Sequence, residues 1–341
     1  MLIYSLERVT LKFMNKARRV QASHLKSMQI ISGRAHPGLS SDIAKNLGIE
    51  LSNVELGDFA NGEVSCRLQT SVRGSDVFVI QTHSGSINQS IIEQLLIIDA
   101  AKRASAQSIT AVCPFLGYAR QDRKSSGREP VAARLIIDML TAAGADRIMS
   151  VDLHSGQTQG FFDGPFDHLI AMPILKKYIQ KNFSDDIVIV SPDAGRVKLN
   201  ERYSRALNCD MAIIHKQRLP KAQGEAEAKH LIGDVSGKVC LLIDDMIDTA
   251  GTICAAADLL KKSGAKEIYG LATHGILSDP AHQRIKRSAF KKVIVTDTLP
   301  QDKKFSNEIE VLSVAPLIAD AIDAVCKGES ISAIFDGENQ S

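Results

Sequence analysis

From residue 28 onward, short apolar runs alternate with stretches whose apolar positions recur every three or four residues. The runs at 28–32, 76–81, 109–113, 147–151, 187–191, 210–215, 238–243, 267–272 and 293–296 read as strands. Several are apolar at nearly every position, as in Ile187-Val188-Ile189-Val190. A strand with one wet face alternates polar and apolar residues; a continuous apolar run is covered on both faces, as in a parallel sheet between helices. Helical spacing appears at 90–103, through Ile91, Leu95, Ile98 and Ala101, and at 252–262, through Ile253, Ala256, Ala257 and Leu260. The alternation predicts a doubly wound α/β architecture with mostly parallel sheets. The pattern also echoes itself. Gly74-Ser75-Asp76-Val77-Phe78-Val79-Ile80 and Gly237-Lys238-Val239-Cys240-Leu241-Leu242-Ile243 each run into a polar loop and then a helix. Only the second loop carries acids, so the spacing predicts two similar domains, 28–165 and 166–335, with the ligand loop in the second.

Composition narrows the function without choosing it. The chain has 341 residues, 44% apolar and 23% charged, with a formal net charge of +2 and no Trp. That balance argues against a nucleic-acid or membrane-surface protein, and no apolar run reaches the roughly 18 residues that span a bilayer. Cys66, Cys113, Cys209, Cys240, Cys254 and Cys326 are scattered without metal-site spacing, as expected of reduced thiols in a cytoplasmic protein. Residues 1–27 are different: Arg8, Lys12, Lys16, Arg18, Arg19 and Lys26 stand against one acid, Glu7. A targeting segment fits this, and so does a disordered tail or translation from an upstream start; the tail or the early start is preferred.

The strongest chemical signal is Leu241-Leu242-Ile243-Asp244-Asp245-Met246-Ile247-Asp248-Thr249-Ala250-Gly251-Thr252. An apolar strand ends in two carboxylates, and a turn of small and hydroxyl residues opens a helix. A helix start offers free N–H groups and a positive dipole end to an anion. Thr249 and Thr252 add hydroxyls, and Asp244 and Asp245 are placed to accept hydrogen bonds from adjacent sugar hydroxyls. A phosphate nest beside a diol acceptor describes a ribose 5-phosphate site. Helix capping by Asp248 alone would be the ordinary reading; the paired acids and the loop composition outweigh it.

This segment resembles the signature shared by type I phosphoribosyltransferases and ribose-phosphate pyrophosphokinases. Other segments favour the second family. Gly117-Tyr118-Ala119-Arg120-Gln121-Asp122-Arg123-Lys124 resembles its ATP-contacting segment, in which Arg120 and Gln121 suit a polyphosphate and a base edge. Phe59-Ala60-Asn61-Gly62-Glu63, by itself a turn signal, resembles the loop that holds adenine through Phe59, Asn61, Gly62 and Glu63. Val151-Asp152-Leu153-His154 and Ser191-Pro192-Asp193-Ala194-Gly195 resemble its metal-associated segments, implying Mg²⁺ near Asp152, His154 and Asp193, although His is an unusual ligand for so hard a cation. His215-Lys216-Gln217-Arg218 resembles the start of the family's mobile loop, with Lys216 and Arg218 as the catalytic cations and Arg218 also near the sugar phosphate. The polar stretch 219–230 is expected to be that loop.

The resemblance extends from residue 28 to 335 and implies two type I phosphoribosyltransferase-like domains. It further implies transfer of a pyrophosphoryl group from ATP to ribose 5-phosphate, Mg²⁺ as cofactor and a homo-oligomer, commonly a hexamer. The chain departs from the family pattern in three places: a Gly-Gly pair and a later Arg are usual after Asp193, whereas here Arg196 follows Gly195 and Leu199 stands near the place of that Arg; the loop after Arg218 is about two residues longer than the common pattern; and Asn61 stands where many members have Asp, although Asn also occurs. The alternative is a non-catalytic relative that binds the synthase and regulates it. Such relatives have interrupted catalytic segments, whereas 244–252, Arg120, Gln121, His154 and Lys216 stand intact here.

Overall fold

The structure, a computed structural model, describes residues 28–183, 186–221 and 224–335, with 216–221 and 224–229 described by their backbone alone. The basic segment 1–27 lies outside the described residues. The first half runs β1 (Met28–Ser32), α1 (Pro37–Asn46), a hairpin of β2 (Val54–Asp58) and β3 (Val64–Leu68), β4 (Asp76–Ile80), α2 (Ile87–Arg103), β5 (Ser108–Cys113), α3 (Ala132–Ala143), β6 (Arg147–Val151), β7 (Phe166–Leu169) and α4 (Met172–Asn182). The second half repeats that order: β8 (Ile187–Ser191), α5 (Val197–Leu207), a hairpin of β9 (Asp210–Lys221) and β10 (Gly224–Ile232), β11 (Val239–Ile247), α6 (Gly251–Lys262), β12 (Glu267–Gly275), α7 (Ala281–Arg287), β13 (Lys292–Thr296), β14 (Ile309–Leu312) and α8 (Ala315–Lys327).

The sheets repeat as well. β1-β4-β5-β6-β7 form one five-stranded sheet, parallel throughout, and β8-β11-β12-β13-β14 form the same order in the other. The second sheet reaches seven strands because β9 joins β8 in parallel and β10 folds back antiparallel on β9. The internal echo read from the sequence is thus a repeat of the whole unit, in the predicted α/β class with mostly parallel sheets. β7 pairs with β6, so the first sheet continues past the boundary expected at 165/166, and α4 completes the first repeat. Two strands absent from the expectation, β7 and β14, are short and partly wet. Phe166-Asp167-His168-Leu169 and Ile309-Glu310-Val311-Leu312 form sheet edges, where no continuous apolar run is required. Residues 219–230, expected as a loop, lie largely in the β9–β10 hairpin, whose Glu225-Ala226-Glu227-Ala228 alternation suits an edge ribbon.

The halves are joined by an exchange of terminal helices. α4, the last helix of the first repeat, packs on α5, and α8, the last helix of the second, packs on α1. One core therefore contains Ile30, Leu39 and Ile43 from the first repeat, Leu175 and Ile179 from α4, Ile189 and Tyr203 from the second repeat, and Ile318 and Ile322 from α8. The outer faces have separate cores, including Val79, Ile98 and Ile137 in the first half and Val190, Leu242 and Leu260 in the second.

Ile322 is fully buried in the shared layer. Ile322→Ala is expected to destabilise the protein by about 2–5 kcal/mol, read from the urea midpoint by circular dichroism.

Candidate active site

β11 carries the acid pair to the sheet's C-terminal edge, where ligands of open α/β sheets bind. Asp244 and Asp245 occupy its last turnings, Asp248 and Thr249 follow, and α6 opens at Gly251. Ala250 is left-handed, with φ 57° and ψ 7°, a conformation that costs a non-glycine residue roughly 1–2 kcal/mol. A cavity of about 250 Å³ lies against this loop. Its lining includes Asp244, Asp245, Asp248 and the run Thr249, Ala250, Gly251, Thr252, with Arg120 and His154 from the first half and Asp193 and Arg196 from the segment after β8. Residues distant in sequence and belonging to both halves therefore meet at one site.

Ion pairs hold the two halves together here. Arg120 Nη1 donates to Asp248 Oδ2 at 2.9 Å, so the expected ATP segment touches the expected sugar loop. His154 Nδ1 lies 2.7 Å from Asp245 Oδ2 and 2.8 Å from Arg196 Nη2. That nitrogen can donate to the carboxylate or accept from the guanidinium, but not both. Arg196 spans the acid pair, with Nε 3.1 Å from Asp244 Oδ1 and Nη2 2.8 Å from Asp245 Oδ1. Burial and the adjacent Asp245 push Asp244 up to about 8, against the pull of Arg196. Burial also opposes ionisation of Asp245, but the hydrogen bond from His154 and the charge of Arg196 prevail and hold it down at about 2. The pair thus divides its roles: one carboxylate stays charged and its neighbour readily takes a proton.

The remaining expected site residues are divided between the cavity and places outside it. Asp193 lines the cavity while its Oδ1 accepts from the Gly195 amide at 2.9 Å. Asp152 is not among the lining residues: its Oδ2 accepts from the Thr273 hydroxyl at 2.5 Å and the Ala171 amide at 3.1 Å, tying the halves together behind the site. Among the described residues no group of three or more His, Cys, Asp and Glu is arranged around a metal position. Gln121 is exposed and takes part through its backbone, its N–H donating to Tyr118 O and its carbonyl accepting from Ala133. Phe59, Asn61, Gly62 and Glu63 form the β2–β3 tip, closed by Phe59 N to Glu63 O at 2.7 Å, with Phe59 60% exposed and outside the cavity lining. The side chains of Lys216 and Arg218 lie outside the described residues; their backbones pair with Lys229 and Glu227 across the hairpin. Arg196, visible in the sequence only as a departure from a family pattern, is the cation of the acid pair. Arg284 on α7, which donates to the Thr249 carbonyl at 2.9 Å, had no sequence signal at all.

Residues 28–144 match the family model described as the N-terminal domain of ribose phosphate pyrophosphokinase, and 191–336 match the phosphoribosyl synthetase-associated domain. A ribose-phosphate pyrophosphokinase of Bifidobacterium longum is 51% identical over 317 residues, which is 91% of this chain and 93% of that protein. The chain belongs to the ribose-phosphate pyrophosphokinase family. The pyrophosphokinase of Corynebacterium glutamicum is 50% identical over 315 residues, 92% of this chain and 97% of its own length. The crystal structure of phosphoribosylpyrophosphate synthetase from Mycobacterium smegmatis matches with a TM-score of 0.84 at 49% identity, over 89% of this chain and 100% of that one. Among the described residues of this pyrophosphokinase-family chain, no helix is long and apolar enough to cross a membrane. None of the six cysteines forms a disulfide.

The acid pair has a consequence for stability. Between the ordinary carboxylate range and about 8, folded Asp244 keeps a proton that the unfolded chain has lost. The native state then binds more protons, so this group's contribution to stability falls as pH rises through that window. Asp244→Asn removes the titration and is expected to raise the thermal midpoint, relative to the parent, more at pH 8 than at pH 4.

Proposed function

We propose that the chain transfers the pyrophosphoryl group of ATP to the 1-hydroxyl of ribose 5-phosphate, giving 5-phosphoribosyl 1-pyrophosphate and AMP. The observation that carries this reading is the meeting of Arg120 with the loop 244–252 in one cavity. The relatives' names support the same activity. The free N–H groups at the start of α6, with the hydroxyls of Thr249 and Thr252, receive the sugar's 5-phosphate. Asp244 and Asp245 accept from the ribose diol, whose hydroxyls replace hydrogen bonds that Arg196 makes in the free protein. The sugar's 1-oxygen attacks the β-phosphorus, the bond from that phosphorus to the bridging α,β-oxygen breaks, and AMP leaves with the electron pair. The hydroxyl proton passes to solvent or phosphate; no side chain is assigned as its base. Such a transfer depends on alignment and charge neutralisation more than on covalent help.

Arg120 supplies one cation for the polyphosphate, and Lys216 and Arg218 are proposed to supply those over the transferring group. The hairpin that bears them starts beside β8 and packs at its base on the 194–196 turn next to Asp193. The exposed Phe59 ring is suited to stack on adenine, with Asn61 and Glu63 at its edge. The donor set fits Mg²⁺ carried in by the phosphates, because this ion keeps several waters and takes only one or two carboxylates. Asp193 is the carboxylate that would hold it, with His154 lining the same cavity, and the Asp152 carboxylate accepts from the Thr273 hydroxyl outside that lining. When bound, Mg²⁺ neutralises charge on the phosphate oxygens. The non-catalytic alternative finds no support: the acid pair and the phosphate loop form a continuous cavity wall.

AMP release from ATP with Mg²⁺ should require ribose 5-phosphate. Lys216→Ala should lower the rate about 10²–10³-fold, the range for losing one donor to developing charge. Sugar-independent AMP release, or none with any phosphate or metal supplied, would overturn the proposal.

A further inference from the structure

The loop's anion-binding face depends on one peptide plane. Arg284 Nη1 donates to the carbonyl of Thr249 at 2.9 Å. The guanidinium lies close against the loop backbone, so that a Cβ built on Gly251 would stand 3.3 Å from the same nitrogen. In a planar trans peptide the carbonyl and the following N–H point in opposite directions. Arg284 is not among the cavity-lining residues, whereas Thr249, Ala250 and Gly251 are. With the Thr249 oxygen held by Arg284, the Ala250 N–H is directed away from Arg284 and stays available to an anion.

Ala250 makes this orientation unstable by itself. Its φ of 57° is one that L-residues avoid. Rotation of the 249–250 peptide would carry φ of Ala250 back to the favoured negative side. The same rotation would turn the Thr249 carbonyl, a partial negative charge, toward the place of the phosphate. The relaxed loop would thus be the wrong loop for an anion, and a catch is needed to hold the strained one. α7 carries that catch in a fixed position, because Ala281 and Ile285 are buried in the core that also contains Ile253 and Ala257 of α6.

We propose that Arg284 is a positioning residue for sugar-phosphate binding, holding the 249–250 peptide in its anion-accepting orientation against the backbone preference of Ala250. This rests on reading the loop as the ribose 5-phosphate site. Arg284 touches neither substrate, and its effect is confined to the end of the site that receives the 5-phosphate. Glycine at position 250 adopts positive φ without steric penalty, so Ala250→Gly should make the catch largely unnecessary.

The test is a double-variant cycle on the full chain. Arg284→Ala should raise the KM for ribose 5-phosphate about tenfold, the loss of one well-placed hydrogen bond from a charged donor. KM for ATP should stay within about twofold, and the thermal midpoint should confirm that the variant is folded. Ala250→Gly in the Arg284→Ala background should recover most of the lost affinity. Calorimetric titration with ribose 5-phosphate alone should show the same order. If the parent chain does not bind ribose 5-phosphate, the functional reading itself fails. If the parent binds and Arg284→Ala binds equally well, only the positioning role fails. Loss for both substrates alike, or no recovery with glycine at 250, would also overturn that role and leave Arg284 as a general structural or charge effect.

Discussion

Two carboxylates adjacent in sequence, both largely withdrawn from water, cannot both stay charged without cations close by. Asp244 and Asp245 are placed in that position by the strand that carries them, and the surrounding site answers the constraint. Arg196 bridges the pair from the turn after β8, and His154 approaches Asp245 from the segment after β6 in the first half. Neither partner is near the acids in sequence. Arg196 belongs to the same half as the acids, but the His154 contact comes from the other half and requires the two halves to be held in register to within hydrogen-bond reach.

That register comes from the exchanged helices. If α4 and α8 each packed only within their own repeat, the halves would be separate domains whose relative motion is the default expectation. Because each terminal helix covers the first helix of the other repeat, the shared core fixes the angle between the sheets. Polar ties behind the site reinforce it. His274 lies 3.1 Å from the Val151 carbonyl and 3.0 Å from that of Asp152, while the Asp152 carboxylate receives the Thr273 hydroxyl and the Ala171 amide. Asp152 acts as a link across the join, and its own left-handed backbone (φ 36°) is held by those bonds.

Much of this was legible before the fold was known, and the reason is periodicity. Central parallel strands such as 187–191 and 147–151 are buried on both faces and announce themselves as apolar runs, and their bounds agree with the structure. The loop proposed to take the phosphate was legible because its pattern is local: a strand, two acids and a small-residue turn lie in one continuous segment. The rest of the site is not local. Arg196 reads as an irregularity until the fold lays it across Asp244 and Asp245, and Arg284 reads as one more basic residue on a short helix until its guanidinium meets Thr249. The edge strands β7 and β14 were missed for the complementary reason, since a strand with a wet face needs no apolar run. The 219–230 segment looked like a loop because its alternation of small and charged residues belongs to a ribbon at the sheet edge rather than a core strand.

The repeat also explains why the proposed ligand loop has no working counterpart in the first half. After β4, at the position that the acid pair occupies near the end of β11, stand Gln81, Thr82 and His83, all buried. Their polar atoms are engaged within the protein. Gln81 donates to Glu93 at 2.8 Å and accepts from the Ala35 amide at 3.1 Å, the Thr82 hydroxyl donates to the Thr298 carbonyl at 2.6 Å, and His83 pairs with Gln94 at 2.9 Å and accepts from the Gly117 amide. Burial drives the His83 ring down to about 4, so it stays neutral. A phosphate arriving there would have to break these bonds and would meet no unengaged donor among them. One loop has thus become a seam between the halves, through Thr82 and Thr298, while its counterpart keeps a strained, open backbone at Ala250. The seam helps hold the register on which the contact of His154 with the acid pair depends, so the structural loop and the proposed binding loop serve the same site.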